Sequence, residues 1–322
     1  MQADASKSTS LSKVFTSASG KPYTYIFNCG GETRYSQDPS VYSLRNTQLS
    51  LNLALHCASL PHRPVLIEFS TGMIYKPSQS VSTGGCPENA ALKPWLKIAK
   101  AKLEAEQQLE SYATEKGLRH ATLRLAHVYG PYDVGFLARG LCLARVYQEL
   151  EKEMKWLWGP SLRINTVHVN DVCTAAWAAA EWASSPANAP TASTTMNDRA
   201  FNICDDGDSS QQTLADIIHK VFQIPTGFQG TLISKIAKMK MDDVVDDVNE
   251  DVLAPWAELV RKKGVEGPLS PFMEKELLRD CDLCLANGRA KSVLGWRAEK
   301  KAMGEEEIRA VLKSYEAMGW WP

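Results

Sequence analysis

Short apolar runs rich in β-branched and aromatic residues alternate along this chain with longer segments of helical periodicity, and the alternation repeats from residue 23 to residue 222. The runs YTYIFNC (23–29), PVLIEFS (64–70), RHATLRLA (119–126), INTVHVNDV (164–172) and RAFNIC (199–204) have the length and composition of buried strands. Between them, Asp38-Pro39 supplies an N-cap and a first-turn proline for a helix over 39–59, and a second helix begins near Pro94. Further helices are expected over 137–154, after Asn170/Asp171, over 211–222 and over 304–318. Strand, helix and strand in regular order predict an α/β fold with a parallel sheet.

The stretch Leu66 to Glu106 organises the rest. An apolar run ends at Ser70-Thr71, a Pro/Gly/Ser-rich loop follows, and the helix KPWLKIAKAKLEAEQQL brings Lys97, Lys100 and Lys102 beside it. Hydroxyls at a strand end next to a helix mark the carboxyl edge of an open sheet, where such folds hold ligands.

Composition narrows the classes. With 322 residues, 44% hydrophobic and 23% charged, the chain suffices for a full core and two lobes. A net charge of −1 with scattered basic residues gives no nucleic-acid or anionic-membrane footprint, so a small molecule is the expected partner. Residues 1–20 lack the apolar centre of a secretory signal and no run is long enough to span a bilayer, which predicts a cytoplasmic protein. Eight scattered cysteines read as reduced thiols, and Cys281-x-x-Cys284, without a second pair or a nearby His, reads as incidental. The acidic run Asp242-Asp243, Asp246-Asp247, Glu250-Asp251 reads as a solvated helix face, and no metal site is expected.

Four motifs then occur in a meaningful order: Ser70-Thr71-Gly72-Met73-Ile74-Tyr75; Leu123-Arg124 with Val128-Tyr129-Gly130-Pro131; His168-Val169-Asn170-Asp171-Val172; and Leu294-Gly295-Trp296. Together they resemble the extended short-chain dehydrogenases/reductases, the NAD-dependent epimerase/dehydratase family. The resemblance implies a Rossmann-like, doubly wound parallel sheet with a smaller C-terminal substrate lobe. It implies a tail over 1–22, a core over 23–135 to which 163–205 returns, and a substrate lobe built from 136–162 and 206–322.

The resemblance also implies site residues. Asn28, Gly30 and Gly31 match the turn beside the nicotinamide ribose, although a plain strand-to-helix turn needs Gly there too. Asn46 matches a site-shaping Asn, and Thr71 the substrate-orienting hydroxyl. Tyr75, Trp95 and Tyr129 fall where substrate is contacted, with core packing as the alternative for Tyr75. Aligning Lys100 and Glu104 with the family's Lys and its Glu four residues on makes Lys100 a ribose-holding or catalytic amine. It also puts Leu96 where the family has its acid, Tyr. His127 stands at the pocket rim and can replace that phenol as acid or base. Trp156 and Trp158 are either ligand-stacking or packing residues.

Two departures shape the functional expectation. The proton-donor Tyr is missing, and no Gly-x-x-Gly-x-x-Gly cradle for a pyrophosphate occurs. The expected cofactor is therefore none, or NAD(P) weakly held. The expected activity is non-redox proton transfer by an isomerase, dehydratase or cyclase, with His127, Thr71 and Lys100 as its polar set. An NAD(P)-dependent epimerase or reductase and a non-catalytic binding member are the alternatives. If strand 23–29 is the family's fourth, the sheet lacks its first strands. Its open edge is then covered by residues 1–22, by a second chain in a homo-oligomer, or by a missing part of a longer protein.

Overall fold

The computed structural model describes residues 4–11, 14–15, 19–77 and 84–322. Parts of the N-terminal tail and of the Ser-rich loop before Pro94 lie outside the described residues. In chain order the elements are β1 (Tyr25–Asn28), α1 (Pro39–Tyr42), α2 (Leu49–Ser59), β2 (Val65–Thr71), α3 (Lys97–Lys116), β3 (His120–Leu125), β4 (His127–Tyr129) and α4 (Phe136–Glu149). They continue with β5 (Met154–Trp156), β6 (Thr166–His168), α5 (Val169–Ser184), β7 (Ala200–Ile203), α6 (Gln211–Phe222), β8 (Thr226–Phe228), α7 (Thr231–Met239), α8 (Met241–Lys263), α9 (Gly288–Val293) and α10 (Glu305–Ala317). Each strand read from the sequence appears; β2 runs one residue later than expected, through Thr71, and the others are shorter at both ends. The helix expected over 39–59 is α1 and α2 joined by a π-helical turn at Ser43–Gln48, with Asp38 capping it by accepting from Ser40 N at 2.8 Å.

Two compact units form. One comprises Met1–Ala126, Asp171–Cys204 and Cys284–Arg297; the other comprises His127–Asn170, Asp205–Leu283 and Ala298–Pro322. The division differs from the sequence expectation at residues 127–135, 163–170, 205 and 284–297: the first three, expected in the core, lie in the second unit, and the last lies in the first. Residues 284–297, expected in the substrate lobe, join the first unit because Cys86 N bonds Cys284 O at 2.9 Å and Asn287 Nδ2 bonds Cys204 O at 2.9 Å. Residues 163–170 join the second because β6 pairs with β4 and Asn165 N bonds Leu283 O.

The first unit is built on a parallel sheet in the order β1-β2-β3-β7, with Asn28 opposite Glu68 and Ser70 opposite Arg124. Alternation along β1 sends its side chains to the two faces. Ile26 packs with α2 and α3 against Leu53, Cys57, Leu66 and Leu109, while Tyr25 and Phe27 meet Trp177 of α5 at ring separations of 5.5 and 6.2 Å. Helices thus lie on both faces, the doubly wound arrangement. The N-terminal segment contributes Leu11 and Phe15 to the α2 cluster, and Asn52 Nδ2 donates to Ala5 O and Ser6 O. Its described residues pack against α2, and β1 has β2 as its one sheet partner among the described residues.

In the second unit β4 pairs with β6 and β5 with β8, both in parallel. Its core joins α4, α6, α8 and α10 around Leu141, Val146, Ile218, Trp256, Ile308 and Tyr315. Trp158, read as a ligand-stacking or packing residue, is the latter: it is buried, and its Nε1 donates to Leu278 O at 3.0 Å.

Candidate functional site

At the carboxyl end of β1 the chain turns through Gly30 and Gly31, and its own side chains close the turn. Asn28 Oδ1 accepts from Gly30 N at 3.2 Å, and Asn46 Oδ1 accepts from Glu32 N at 2.7 Å while its Nδ2 donates to Glu32 O. Gly31 has φ +140°, and a Cβ there would lie 3.0 Å from Asn46 Oδ1, so glycine is required for Asn46 to seat. Glu32 stays ionised, its pKa lowered to about 2 by hydrogen bonding to Arg34 and by the charges of Arg34 and Arg45. The structure brings Asn28, Gly30, Gly31 and Asn46 together. The amides of Gly30 and Glu32 are bonded internally, and the Glu32 carboxylate lies beside them.

Beneath the turn runs a line of buried polar groups. Asn28 Nδ2 donates to Ser50 Oγ at 3.0 Å and to Glu68 Oε2 at 2.6 Å, and Lys102 Nζ reaches Glu68 Oε1 at 3.1 Å. Glu68 is fully buried, and Lys102 is 13% exposed. Lys100 points instead to solvent. The helix register expected from the sequence is therefore displaced by two residues. Glu106, four residues after Lys102, is the buried carboxylate, and position four before Lys102 is Ile98. Sequence reasoning missed Lys102 and Glu68, although a second Lys/Glu pair, Lys102 and Glu106, stood in the same helix.

Several motif residues meet in one interior network. Arg124 Nε and Nη2 donate to Glu106 Oε2 at 3.0 and 2.8 Å, and Nη1 donates to Tyr75 OH at 2.7 Å and Glu88 O at 2.8 Å. Tyr75 OH donates to Asn202 Oδ1 at 2.7 Å, and Asn202 N donates to Glu88 Oε1. Tyr75 is 2% exposed, so its phenol is a strut between β2, β3 and β7, and desolvation raises its pKa out of the working range. Trp95 is half-buried, with its backbone N bonded to Met73 O in the segment that leads into α3.

Thr71 ends β2 half-buried; its Oγ1 accepts from Met73 N at 3.2 Å, which leaves the hydroxyl hydrogen to donate. The neighbouring Ser70 Oγ is buried with no hydrogen-bond partner among the described residues.

In the second unit His127 N bonds Asn165 O, and the half-buried ring stacks on Phe136 at 4.2 Å. Desolvation lowers its pKa to about 4, so the ring is neutral at neutral pH. Two residues on, Tyr129 is buried against His168, with rings 5.3 Å apart and nearly perpendicular. Gly130 follows at φ +145°, where a Cβ would lie 2.6 Å from Val169 Cγ1. From Phe136 the helix α4 leads to a cavity of about 250 Å³ lined by Val134, Ala138, Arg139, Leu269, Ser270 and Phe272. Arg139 Nη2 reaches Glu274 at 3.4 Å, while its Nη1 is buried with no hydrogen-bond partner among the described residues. No group of His, Cys, Asp and Glu with metal-holding geometry occurs among the described residues, and no helix there is long and apolar enough to cross a membrane.

Comparison with known proteins places this geometry. Among solved structures, Pal from Bacillus thuringiensis is 14% identical with a TM-score of 0.67 over 99% of this chain and 83% of that one. The Bordetella bronchiseptica enzyme WbmG, in complex with NAD and UDP, is 16% identical with a TM-score of 0.63 over 100% and 81%. UDP-glucose 4-epimerase of Thermotoga maritima, with UDP-glucose, is 17% identical with a TM-score of 0.62 over 98% and 83%. These likenesses establish a common Rossmann-like fold. The comparison with curated proteins finds no match. A family model matches residues 1–203, the greater part of the chain, and by that match the protein belongs to the NAD dependent epimerase/dehydratase family.

Proposed function

We propose that this member of the family is a small-molecule enzyme whose reaction is proton transfer, as in an isomerase, dehydratase or cyclase. The observation that carries this reading lies at the start of α3. Position four before a helix lysine is Leu96 in one register and Ile98 in the other, so neither register supplies a phenol. The buried amine, Lys102, is already bonded to Glu68. A hydride-transfer site of this family works through a tyrosine made acidic by its lysine, and that pair is absent here.

The groups on hand suit proton movement. In the first unit Thr71 offers a hydroxyl at a strand end, and Lys100 an exposed amine. In the second, His127 offers a neutral imidazole that accepts a proton from carbon or oxygen without first losing one. The cavity beside α4, apolar but for Arg139 and Ser270, suits a small anionic ligand that takes up the spare guanidinium hydrogen bond.

A second reading, an NAD(P)-dependent epimerase, is favoured by neighbours whose structures were solved with NAD. One experiment separates the two. NADH, NADPH and UDP are titrated against the protein while tryptophan fluorescence is followed. The first reading expects no saturable NADH or NADPH signal at micromolar concentration and expects a UDP signal that Arg139→Leu removes. Micromolar NADH binding overturns it in favour of the second. Where a UDP-sugar is turned over in deuterium oxide, proton transfer leaves deuterium on carbon and internal hydride return does not.

A further inference from the structure

Of the eight cysteines, Cys29 and Cys173 are the two exposed ones, and the fold of the first unit brings them to the same end of one layer. Along β1, Tyr25 and Phe27 meet Trp177 of α5, whose ring stacks on Phe27 at 6.2 Å. Two residues further on, with the strand's period of two, Cys29 follows on the same side, just beyond the last residue of β1. One turn before Trp177, on the same stripe of α5, stands Cys173.

The two steps run in the same direction. Arg119 Nη1, just before β3, bonds the O of Ser184, the last residue of α5, at 3.4 Å, and β3 is parallel to β1 through β2. Helix α5 therefore runs against the strands, and its first turns lie at their carboxyl end, where β1 stops. A strand advances about 6.6 Å in two residues and a helix about 6 Å in four, so the stacked Phe27 and Trp177 pair is continued by Cys29 and Cys173. The thiols feel one another: desolvation first, and the charge of Cys173 second, raise the pKa of Cys29. Cys29 lies past the ladder that fixes Phe27 and directly before Gly30 and Gly31, so its backbone is free to close the remaining gap.

We propose that Cys29 and Cys173 form a reversible disulfide that ties the Asn28–Gly31 turn to α5, with a small disulfide such as glutathione disulfide as the oxidant. One protein thiolate attacks the glutathione disulfide, breaking its S–S bond and releasing one glutathione thiolate. The second protein thiolate then attacks the protein sulfur of that mixed disulfide and expels the other glutathione thiolate. The two cysteines are oxidised, the glutathione disulfide is reduced, and the two protons the cysteines lose end on the two glutathione thiols. An exposed dithiol of this kind is the usual form of a redox-responsive site. The bridge does not depend on the reaction proposed above.

The test uses the full chain, first reduced and then equilibrated in glutathione buffers of increasing disulfide content, with intact mass and a non-reducing peptide map as readouts. The wild type is expected to lose two hydrogens in mass, to yield a crosslinked pair of peptides carrying Cys29 and Cys173, and to regain the hydrogens with dithiothreitol. Because the bridge closes a loop of roughly 140 residues, the melting temperature is expected to rise by about 5 °C on oxidation. Cys29→Ser and Cys173→Ser, both at exposed positions, are each expected to keep the reduced protein's circular dichroism spectrum and to abolish the crosslink and the rise. Glutathione adducts that stay on single cysteines overturn the proposal, as do a bridge joining any other pair and a crosslink between two chains. A wild-type chain that stays fully reduced in the most oxidising buffer overturns it as well.

Discussion

Replacing Glu106 by Gln keeps the size of the side chain and removes one charge from the interior of the first unit. The Arg124 side chain is fully buried, and Glu106 Oε2 receives two of its hydrogen bonds; the remaining ones go to neutral acceptors on Tyr75, Glu88 and Asn197. The variant therefore leaves a guanidinium desolvated with no counter-charge among its hydrogen-bond partners. Breaking a buried pair in this way costs about 3–5 kcal/mol, a large part of the roughly 5–15 kcal/mol that holds a typical domain together. Urea unfolding followed by tryptophan fluorescence should show a midpoint lowered by more than about 1 M. Replacing both partners, Glu106→Leu with Arg124→Met, is expected to recover most of the loss, because the double variant removes the uncompensated charge along with its partner. A Glu106→Gln unfolding free energy within about 1 kcal/mol of wild type would refute the reasoning, since it would mean that water or another group screens Arg124.

Three further outcomes follow from particular residues. His120 is 2% exposed, and burial with the nearby Arg199 charge lowers its pKa from 6.5 to about 3. The unfolded chain therefore takes up a proton below pH 6.5 that the folded chain refuses. Stability is full above that pH and falls toward pH 3 by up to about 1.4 kcal/mol per unit, a slope that His120→Asn should reduce in urea titrations at pH 7, 6 and 5. Lys102→Met strands the buried Glu68 and should cost about 3 kcal/mol in thermal unfolding, whereas Lys100→Met on the exposed face should stay within about 0.5 kcal/mol. Gly130→Ala combines φ +145° with a 2.6 Å approach to Val169 and should cost about 1–3 kcal/mol; an unchanged melting temperature would show that the turn relaxes freely.

The parts of this protein that were legible in its sequence are those whose cause is local. Strands declared themselves by β-branched runs, and the first long helix by Asp38 and Pro39, because capping and periodicity act over a few residues. The register of α3 was not legible. Lys100 with Glu104 and Lys102 with Glu106 satisfy the same spacing, and only a partner brought in from elsewhere in the chain separates them. Glu68 on β2 selects Lys102, and Arg124 on β3 selects Glu106.

The same non-locality governs the motif tyrosine. Tyr75 resembles a site residue in sequence, yet its hydroxyl is consumed by Arg124 and Asn202, residues 49 and 127 positions away. On the function proposed above, the chemistry falls to groups the scaffold leaves unspent. Among the described residues these include the Thr71 hydroxyl hydrogen and Ser70 Oγ in the first unit and His127 and Arg139 Nη1 in the second. A residue that completes the fold's hydrogen bonding is held in one state by the packing around it. A residue with a donor or lone pair still to place, as at Arg139, is free to meet a ligand's demand, and that difference rather than motif membership points to function.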